Sequence, residues 1–513
     1  MTSANSSKRN DADKNTEVFR IAKSLTVLPY LRDHYFYGRT ILPAVEILQG
    51  LAASVTDSCP GSQTAQMTSA SFPHFLEIKP EEETIFFSHE LKKNVQGNIS
   101  GCLSSITNSG ISGIRREKIH ATVDFPPAFS PAPAPLPADL ASSLEGICYR
   151  LPAEKLYEEL VPFGKAYRNI QGQVLLTPAG ALAQLHAPDC SAPAFPLGSP
   201  FPCDAVMHLA CAWSQRFRRI VAFPVGFANR RIFAPTQADE TYYGRVVPVT
   251  VAGDTLIFDM GIYDMAGHPR EVIKGMQMRD VSGGKAVPPP WIITDSHDPL
   301  RTIRKHCRAL TVMESEAIYN FASSALSPAE KEKFHNMGAR RQQTYLAGRL
   351  ALKALARLLA ADATTPASAV STIGTDGIKP CCPDLAGNKS LPCSLSHDRR
   401  FAVAVSAEEP LGVDVEYLSE RVLKARHLYM NAGEIALADA SPLGAIAASL
   451  RIWSIKECLT KAADTPVTVS WKHASAEELG QNESRFIWKG QCHTAYHDTV
   501  DDHLFTLVKG SSL

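Results

Sequence analysis

The sequence predicts an α+β protein of more than one domain, and three observations carry that prediction. Two proline-rich stretches, FPPAFSPAPAPLPADL from Phe125 and VSGGKAVPPPWIITDSHDP from Val281, punctuate the chain. Neither can be helix or inner strand, so they mark off segments at roughly 20–125, 145–282 and 300–513. The first two segments repeat one order of elements, a helix followed by several strands. The third mixes long helices with apolar strands. With 513 residues, 45% apolar and 20% charged, each segment can bury a core.

In the first segment a helix pattern begins after Pro43, with Val45, Leu48 and Leu51 at helical spacing. A proline at the start of a helix suits that reading. Strand-like pieces such as ETIFFSHEL follow. The second segment holds a helix candidate, DAVMHLACAWSQRF, then strands RIVAF, RRIFA, TYYGRVVPVT, DTLIFDMGIYD and EVIKGMQMRDV. In the third, QQTYLAGRLALKALARLLA sets Tyr345, Leu352, Leu355 and Leu359 along one helix face, and Gly348 on that face fits a close packing contact. FAVAVSA (401–407) and GVDVEYL read as strands, SLRIWSIKECLTKA as a helix.

Lysine plus arginine and aspartate plus glutamate both total 52, so charge points to neither a nucleic-acid nor a membrane-surface partner. The apolar runs are too short to span a bilayer. The polar start, MTSANSSKRNDADKNTE, lacks the apolar segment of a signal peptide and reads as a disordered leader over 1–19. Twelve cysteines without a CxxC pair fit reduced cytoplasmic thiols rather than a disulfide framework or a zinc site.

Two constellations carry chemistry. In LGVDVEYL, Asp414 and Glu416 project to one side of a strand; in IWSIKECLTKA, Glu457 and Lys461 share a helix face. An unpaired charge in an apolar strand is costly. Three carboxylates and a lysine that converge would suit Mg2+, a hard cation that keeps water or phosphate ligands. Taken singly, the acid pair also fits a solvated face and the Glu–Lys pair a surface salt bridge. Near the N-terminus, HYFYGRTILP is an HxxxGxxxxP pattern from His34 through Gly38 to Pro43. FPCDAVMHL adds Asp204 and His208 as DxxxH.

The 300–513 segment resembles the surfactin-type 4′-phosphopantetheinyl transferases. The stretches LSPAEKEKF, YLAGRLALKAL, DGIKPCCPDL, CSLSHDRRFAVAV, GVDVE and WSIKECLTKA carry the likeness in order. The resemblance implies a two-lobed, pseudo-symmetric α/β fold. It implies transfer of phosphopantetheine from coenzyme A to a serine of an acyl carrier protein. Asp414, Glu416 and Glu457 would hold Mg2+ on the pyrophosphate, Glu457 would activate the serine, and Lys461 would stabilise phosphoryl oxygens. Arg349, Lys379, Ser396 and His397 would bind phosphates of coenzyme A; Arg340 and Arg341 fit either the nucleotide or a solvated patch. Trp453 reads as a packing residue, and Cys458, where small residues are usual, as a packing change only.

The N-terminal part resembles polyketide-synthase dehydratases through HYFYGRTILP, AYRNIQG (Tyr167 to Gly172), FPCDAVMHL and AFPVGFANRRI. That implies a double hotdog over 20–285, with halves near 20–125 and 145–282, a linker at 286–299 and the transferase at 300–513. His34 would be the base that removes the α-proton of a 3-hydroxyacyl thioester and must be neutral. Asp204 would be the acid and must be protonated, and His208 would orient it. Whether the helix start ionises Asp204 or burial protonates it is open from sequence alone. A catalytically silent hotdog that docks a carrier remains the alternative. No ketosynthase, acyltransferase or carrier segment is recognisable. The expected partners are therefore carriers and polyketide or fatty-acid synthase components in other chains.

Overall fold

The computed structural model describes residues 16–108, 115–127, 139–189, 195–294, 298–318, 323–362, 365–374, 380–385 and 390–510. Lys379 and most of the DGIKP loop lie outside them. The fold divides into two units. One comprises residues up to Pro137 together with Arg150–Val174 and Gly180–Ile293; the other comprises Ala138–Tyr149, Leu175–Ala179 and Thr294–Leu513. The expected 286–299 linker is therefore not free-standing up to its middle, since Ile293 still belongs to the first unit. The two short excursions into the second unit have no sequence signal.

The first unit is organised by a twelve-stranded sheet. Its spatial order is Glu17–Thr26, Thr84–Lys93, Ile99–Asn108, Arg115–Phe125 and Gln66–Ser71, then Phe223–Ile232, Pro269–Arg279, Thr255–Tyr263, Thr241–Ala252, Gly180–His186, Ile170–Thr177 and Tyr149–Pro152. Gln66–Ser71 and Phe223–Ile232 run antiparallel and weld the two halves. Each half wraps a helix. Ala44–Ser58 packs on the strands Thr84–Lys93 and Ile99–Asn108, and Phe201–Arg218 packs on Gly180–His186, Thr241–Ala252 and Thr255–Tyr263. This helix-in-a-curved-sheet unit, formed twice, is the double hotdog. Val45, Leu48, Leu51, Ala52 and Val55 of the first helix are essentially inaccessible. The second helix is buried over every residue from Phe201 to Gln215, as expected of a helix enclosed on all sides.

Two expectations shift. The first strand starts at Glu17, inside the residues assigned to the leader. RIVAF and RRIFA are not two strands. The helix closes on Arg219 in the left-handed region, and one strand, Phe223–Ile232, begins at the last residue of the first piece and ends within the second.

The second unit has two lobes. In one, the strands Ala309–Glu314, Phe401–Ser406 and Cys393–His397 form a sheet packed by the helix Ala339–Ala360. In the other, Leu411–Tyr417, His503–Lys509, Gln491–Val500, Glu483–Trp488 and Ala474–Leu479 pair in that order, packed by the helix Ala445–Ala462. One core, with Leu310, Val312, Phe401, Val403, Val413, Val415 and Phe505, runs through both lobes.

The lobes repeat a buried ion pair. Glu330 closes a capping box on Ser327 and meets Lys353 Nζ at 2.7 Å; Glu434 closes one on Asn431 and meets Lys456 Nζ at 2.8 Å. Both lysines also donate to backbone carbonyls, Lys353 to Ala367 and Val370, Lys456 to Tyr429. Thr311 donates to the Ala351 carbonyl where Asp414 accepts from Ser454. The pairs 311 and 414, 351 and 454, and 353 and 456 are separated by the same number of residues, so the lobes are two versions of one unit. Only the second carries acids at the strand and helix positions that face each other.

Candidate functional sites

The acids of the second unit sit where the lobes meet. Strand Cys393–His397 passes Leu411–Tyr417, and serine hydroxyls bridge them. The amides of Val413 and Val415 donate to Ser394 Oγ and Ser396 Oγ at 3.0 and 3.3 Å. Ser396 Oγ donates to Asp414 Oδ1 (2.9 Å), Ser454 Oγ to Asp414 Oδ2 (2.6 Å), and Lys461 Nζ reaches Asp414 Oδ1 at 3.2 Å and the Val413 carbonyl at 2.8 Å. Asp414 is 4% exposed, so these partners are what keep its charge affordable.

Gly412 explains the close approach. A Cβ there would lie 1.9 Å from the Cys458 carbonyl oxygen, so the helix Ala445–Ala462 can cross the strand only because position 412 has no side chain. Cys458 is buried in that crossing with its thiol near the Thr506 carbonyl, a packing position. Gly348 in the first lobe is less constrained: a Cβ would meet the Leu395 side chain at 3.3 Å and the His397 ring at 3.5 Å, a snug contact rather than a clash.

The electrostatics are those of crowded like charge. Burial and then the negative charge of Asp414 push the Glu416 carboxyl up to about 7, against a hydrogen bond from Trp453 Nε1 at 3.0 Å. Burial and Asp414 also raise Glu457, opposed by Lys461. Burial works to lower the Lys461 ammonium, but Asp414, Cys458 and Glu457 together outweigh it and raise its pKa. Partial burial, Lys461 and Arg349 together lower His397. Acids and cations therefore lie side by side. Among the described residues no three His, Cys, Asp or Glu side chains stand at metal-chelating separation. Even so, two carboxyls raised by a third fit a cation that takes one or two protein oxygens and completes its shell from water and phosphate.

The remaining expected contacts are placed as follows. Ser396 is buried with its hydroxyl spent on Asp414 and the Val415 amide. Arg349 Nη1 donates to the Thr372 carbonyl at 2.6 Å, its guanidinium 4.8 Å above the Tyr345 ring. Trp453 is both a packing residue, against Tyr429 and Trp471, and a donor to Glu416. Arg340 and Arg341 open the helix Ala339–Ala360, where Arg341 is exposed.

In the first unit, His34, Asp204 and His208 converge on an apolar cavity that Phe36, Leu42, Ile47, Phe72, Met207 and Phe223 help to line. His34 Nδ1 lies 2.8 Å from the Ile41 carbonyl and so carries the proton. That leaves Nε2 with a free lone pair 3.8 Å from Asp204 Oδ1. Burial lowers the His34 pKa, with Asp204 opposing, so the ring is neutral as a base must be. His208 Nε2 is 2.9 Å from Asp204 Oδ2, close but out of line for a strong hydrogen bond.

For Asp204, burial pulls the pKa up, yet His208 and His34 together bring it below the usual range. In the free site the two imidazoles thus work against burial and toward the carboxylate.

Sequence reading missed four supports of this site. Tyr157 Oη accepts from the Asn169 and Ile170 amides, both at 3.0 Å, and lies 3.2 Å from His208 Nδ1. Phe163 packs on His34 and His208, with ring centroids 4.4 and 5.0 Å apart. Asp33 caps the 164–166 loop: its backbone and side chain accept from Gly164 N and Ala166 N. Gly164 must be glycine, because a Cβ would fall 2.3 Å from Asp33 Oδ1. The stretch FGK, just ahead of the AYRNIQG motif, was the available signal.

No curated protein matches the chain. Several solved dehydratase domains of polyketide synthases match the first part. A trans-AT dehydratase domain from Brevibacillus brevis is 16% identical, with 52% of this chain and 94% of that one covered at a TM-score of 0.44. The dehydratase domain of RzxB from Pseudomonas fluorescens is 14% identical, with 47% and 87% covered at 0.39. The dehydratase domain of the CurF module of curacin polyketide synthase is 16% identical, with 53% and 95% covered at 0.41. No helix among the described residues is long and apolar enough to cross a membrane. The stretch that holds Asp414, Glu416, Glu457 and Lys461 falls within residues 410–508, which match the family model of the 4′-phosphopantetheinyl transferase superfamily, and the chain carries a domain of that superfamily there.

Proposed function

We propose that this chain moves 4′-phosphopantetheine from coenzyme A to a serine of an acyl carrier protein, with Mg2+. We propose further that its N-terminal unit removes water from 3-hydroxyacyl thioesters on a carrier in polyketide or fatty-acid-like synthesis. The observation that carries the first part is the buried Asp414, tied to Lys461 and crowded by Glu416 and Glu457, within the matched domain.

Mg2+ at Asp414, Glu416 and Glu457 would neutralise pyrophosphate charge and relieve the repulsion between the acids. Glu457, its affinity for protons raised, takes the proton of the carrier serine as the serine oxygen bonds to phosphorus. The phosphorus–oxygen bond to the nucleotide breaks, and Lys461 steadies the oxygens that gain charge. Arg349, His397 and Lys379 would meet the phosphates of coenzyme A, whereas Ser396 holds Asp414 in place. The free cysteines fit a cytoplasmic location, where coenzyme A is also at hand. Incubation with coenzyme A, Mg2+ and an apo carrier, read by intact mass, tests the transfer; no mass gain on any apo carrier overturns it.

In the first unit, His34 Nε2 takes the α-proton and Asp204 protonates the departing hydroxyl, leaving an enoyl thioester and water. An acyl chain that fills the cavity removes the remaining water, which strengthens the influence already raising Asp204 and favours the protonated form that step needs. The pull of His208 and His34 on Asp204 toward the carboxylate favours a second reading, a silent hotdog that docks the carrier. Dehydration of a 3-hydroxyacyl pantetheine thioester by the chain separates the two.

A further inference from the structure

We infer that Trp291, in the proline-rich segment leaving the first unit, is a positioning residue for the His208–Asp204 pair; its effect on catalysis rests on the dehydratase reading above, its structural effect does not. The residues concerned form a closed circuit within this unit. Leu156–Leu160 is a single π-helical turn, a form that recurs at functional sites. It presents Tyr157 to His208. Since Tyr157 Oη already accepts two amides, its proton goes to His208 Nδ1, which fixes the His208 hydrogen on Nε2, beside Asp204. The position of this turn thus sets both the orientation and the tautomer of His208.

Trp291 clamps the outer side of the same turn. Lys155 Nζ lies 3.8 Å over its ring, and its indole N–H donates to Glu159. The next residue, Ile292, is fully buried, and its carbonyl accepts from Arg216 Nη1 at 3.1 Å. Arg216 stands on the helix that carries Asp204 and His208. The neighbouring Gln215 donates to the Leu160 carbonyl at the end of the π-turn. The 291–292 segment therefore ties the turn that holds His208 to the helix that His208 belongs to. Read from composition, this segment is a linker; in the fold it braces the site.

The test uses the full chain with 15N-labelled histidine rings, whose shifts report which nitrogen carries the hydrogen. Trp291→Ala should shift or broaden the His208 ring signals and lower kcat for dehydration about tenfold, with KM within about twofold, because substrate contacts are untouched. Trp291→Phe keeps the cation–ring contact and should restore most of both. Glu159→Ala, an exposed change that removes the acceptor of the indole N–H, covers the case in which Trp291→Ala fails to fold, and should give a smaller shift of the same signals. Phosphopantetheine transfer should be unchanged throughout. Unaltered His208 signals in folded Trp291→Ala, or in Glu159→Ala where Trp291→Ala does not fold, overturn the inference. A wild type that does not dehydrate, with His208 signals that do respond, overturns the dehydratase reading and leaves the positioning role standing.

Discussion

Replacing Asp414 by asparagine separates its charge from its hydrogen bonds. The carboxylate accepts from Ser396 (2.9 Å), Ser454 (2.6 Å) and Lys461 (3.2 Å). An asparagine of the same shape can accept one hydroxyl with its oxygen and donate to the other serine, whose hydroxyl can turn. Lys461 keeps the Val413 carbonyl at 2.8 Å. Glu416 and Glu457, which Asp414 helps to raise, are relieved of a like charge. Stability should therefore change by no more than about 1 kcal/mol. Transfer is another matter. Asp414→Asn removes a full negative charge from the ligand set proposed for Mg2+, and losses of that kind cost at least about a hundredfold, or about 2.7 kcal/mol of barrier. The assay is intact-mass kinetics on an apo carrier at saturating coenzyme A and Mg2+, with thermal melts in parallel. Transfer within about tenfold of wild type, in a protein that melts normally, removes Asp414 from the mechanism.

Other perturbations test separate parts. Lys456→Met should destabilise the second unit by about 3–5 kcal/mol, because it strands the fully buried Glu434; a melt within about 1 kcal/mol of wild type would show the pair to be dispensable. Glu416 is pushed up to about 7 in the fold against an ordinary value of 4.5, so the unfolded chain releases that proton first. Stability should fall as pH rises from about 4.5 to about 7, and Glu416→Gln should flatten the slope between melts at pH 5 and pH 8. His34→Ala should abolish dehydration and Asp204→Asn cut it heavily while neither touches transfer; elimination that survives His34→Ala means another base. Limited proteolysis should cut at the exposed 283–285 stretch rather than after Pro288, since Pro288 and Ile292 are buried; first cleavage inside 300–513 would contradict the boundary.

What was legible in the sequence was what periodicity and spacing encode. The apolar rhythm of Val45, Leu48 and Leu51 announced a buried helix, and GVDVE announced a strand with two acids on one side. What escaped depended on contacts between distant residues. Ser396 reads as a phosphate contact; its role, shared with Ser394, as a hydroxyl bridge to the 413–415 backbone exists only once two strands pass side by side. Gly412, inside a strand, and Gly164 carry no signal of their own, yet each is demanded by an atom far away in sequence, the Cys458 carbonyl and the Asp33 carboxylate. Tyr157 carries no motif at all, and its function lies in its partners. Proline content misjudged 288–292 because proline forbids helix and inner strand but does not forbid packing.

The buried acids themselves show which are structural and which are poised for chemistry. Glu330 and Glu434 are each matched by a lysine, a capping box and at least one further backbone amide. Glu271 forms a double hydrogen bond with Arg230. Such groups have every oxygen occupied and nothing left to offer a ligand. Asp414 is buried as deeply but has two hydroxyls and a lysine it shares with a backbone carbonyl, and its charge is felt by two further carboxyls. Asp204 leans on two imidazoles, one of them poorly aligned. The duplication within the second unit provides the control. The first lobe preserves the structural pair, Glu330–Lys353, and has Thr311 and Met313 where the second has Asp414 and Glu416. The fold therefore needs the buried pair in both lobes, whereas the crowded acids appear in one. Carboxyls that raise one another's pKa cost stability, and under the proposed function a cation and the phosphates it would hold would offset that cost.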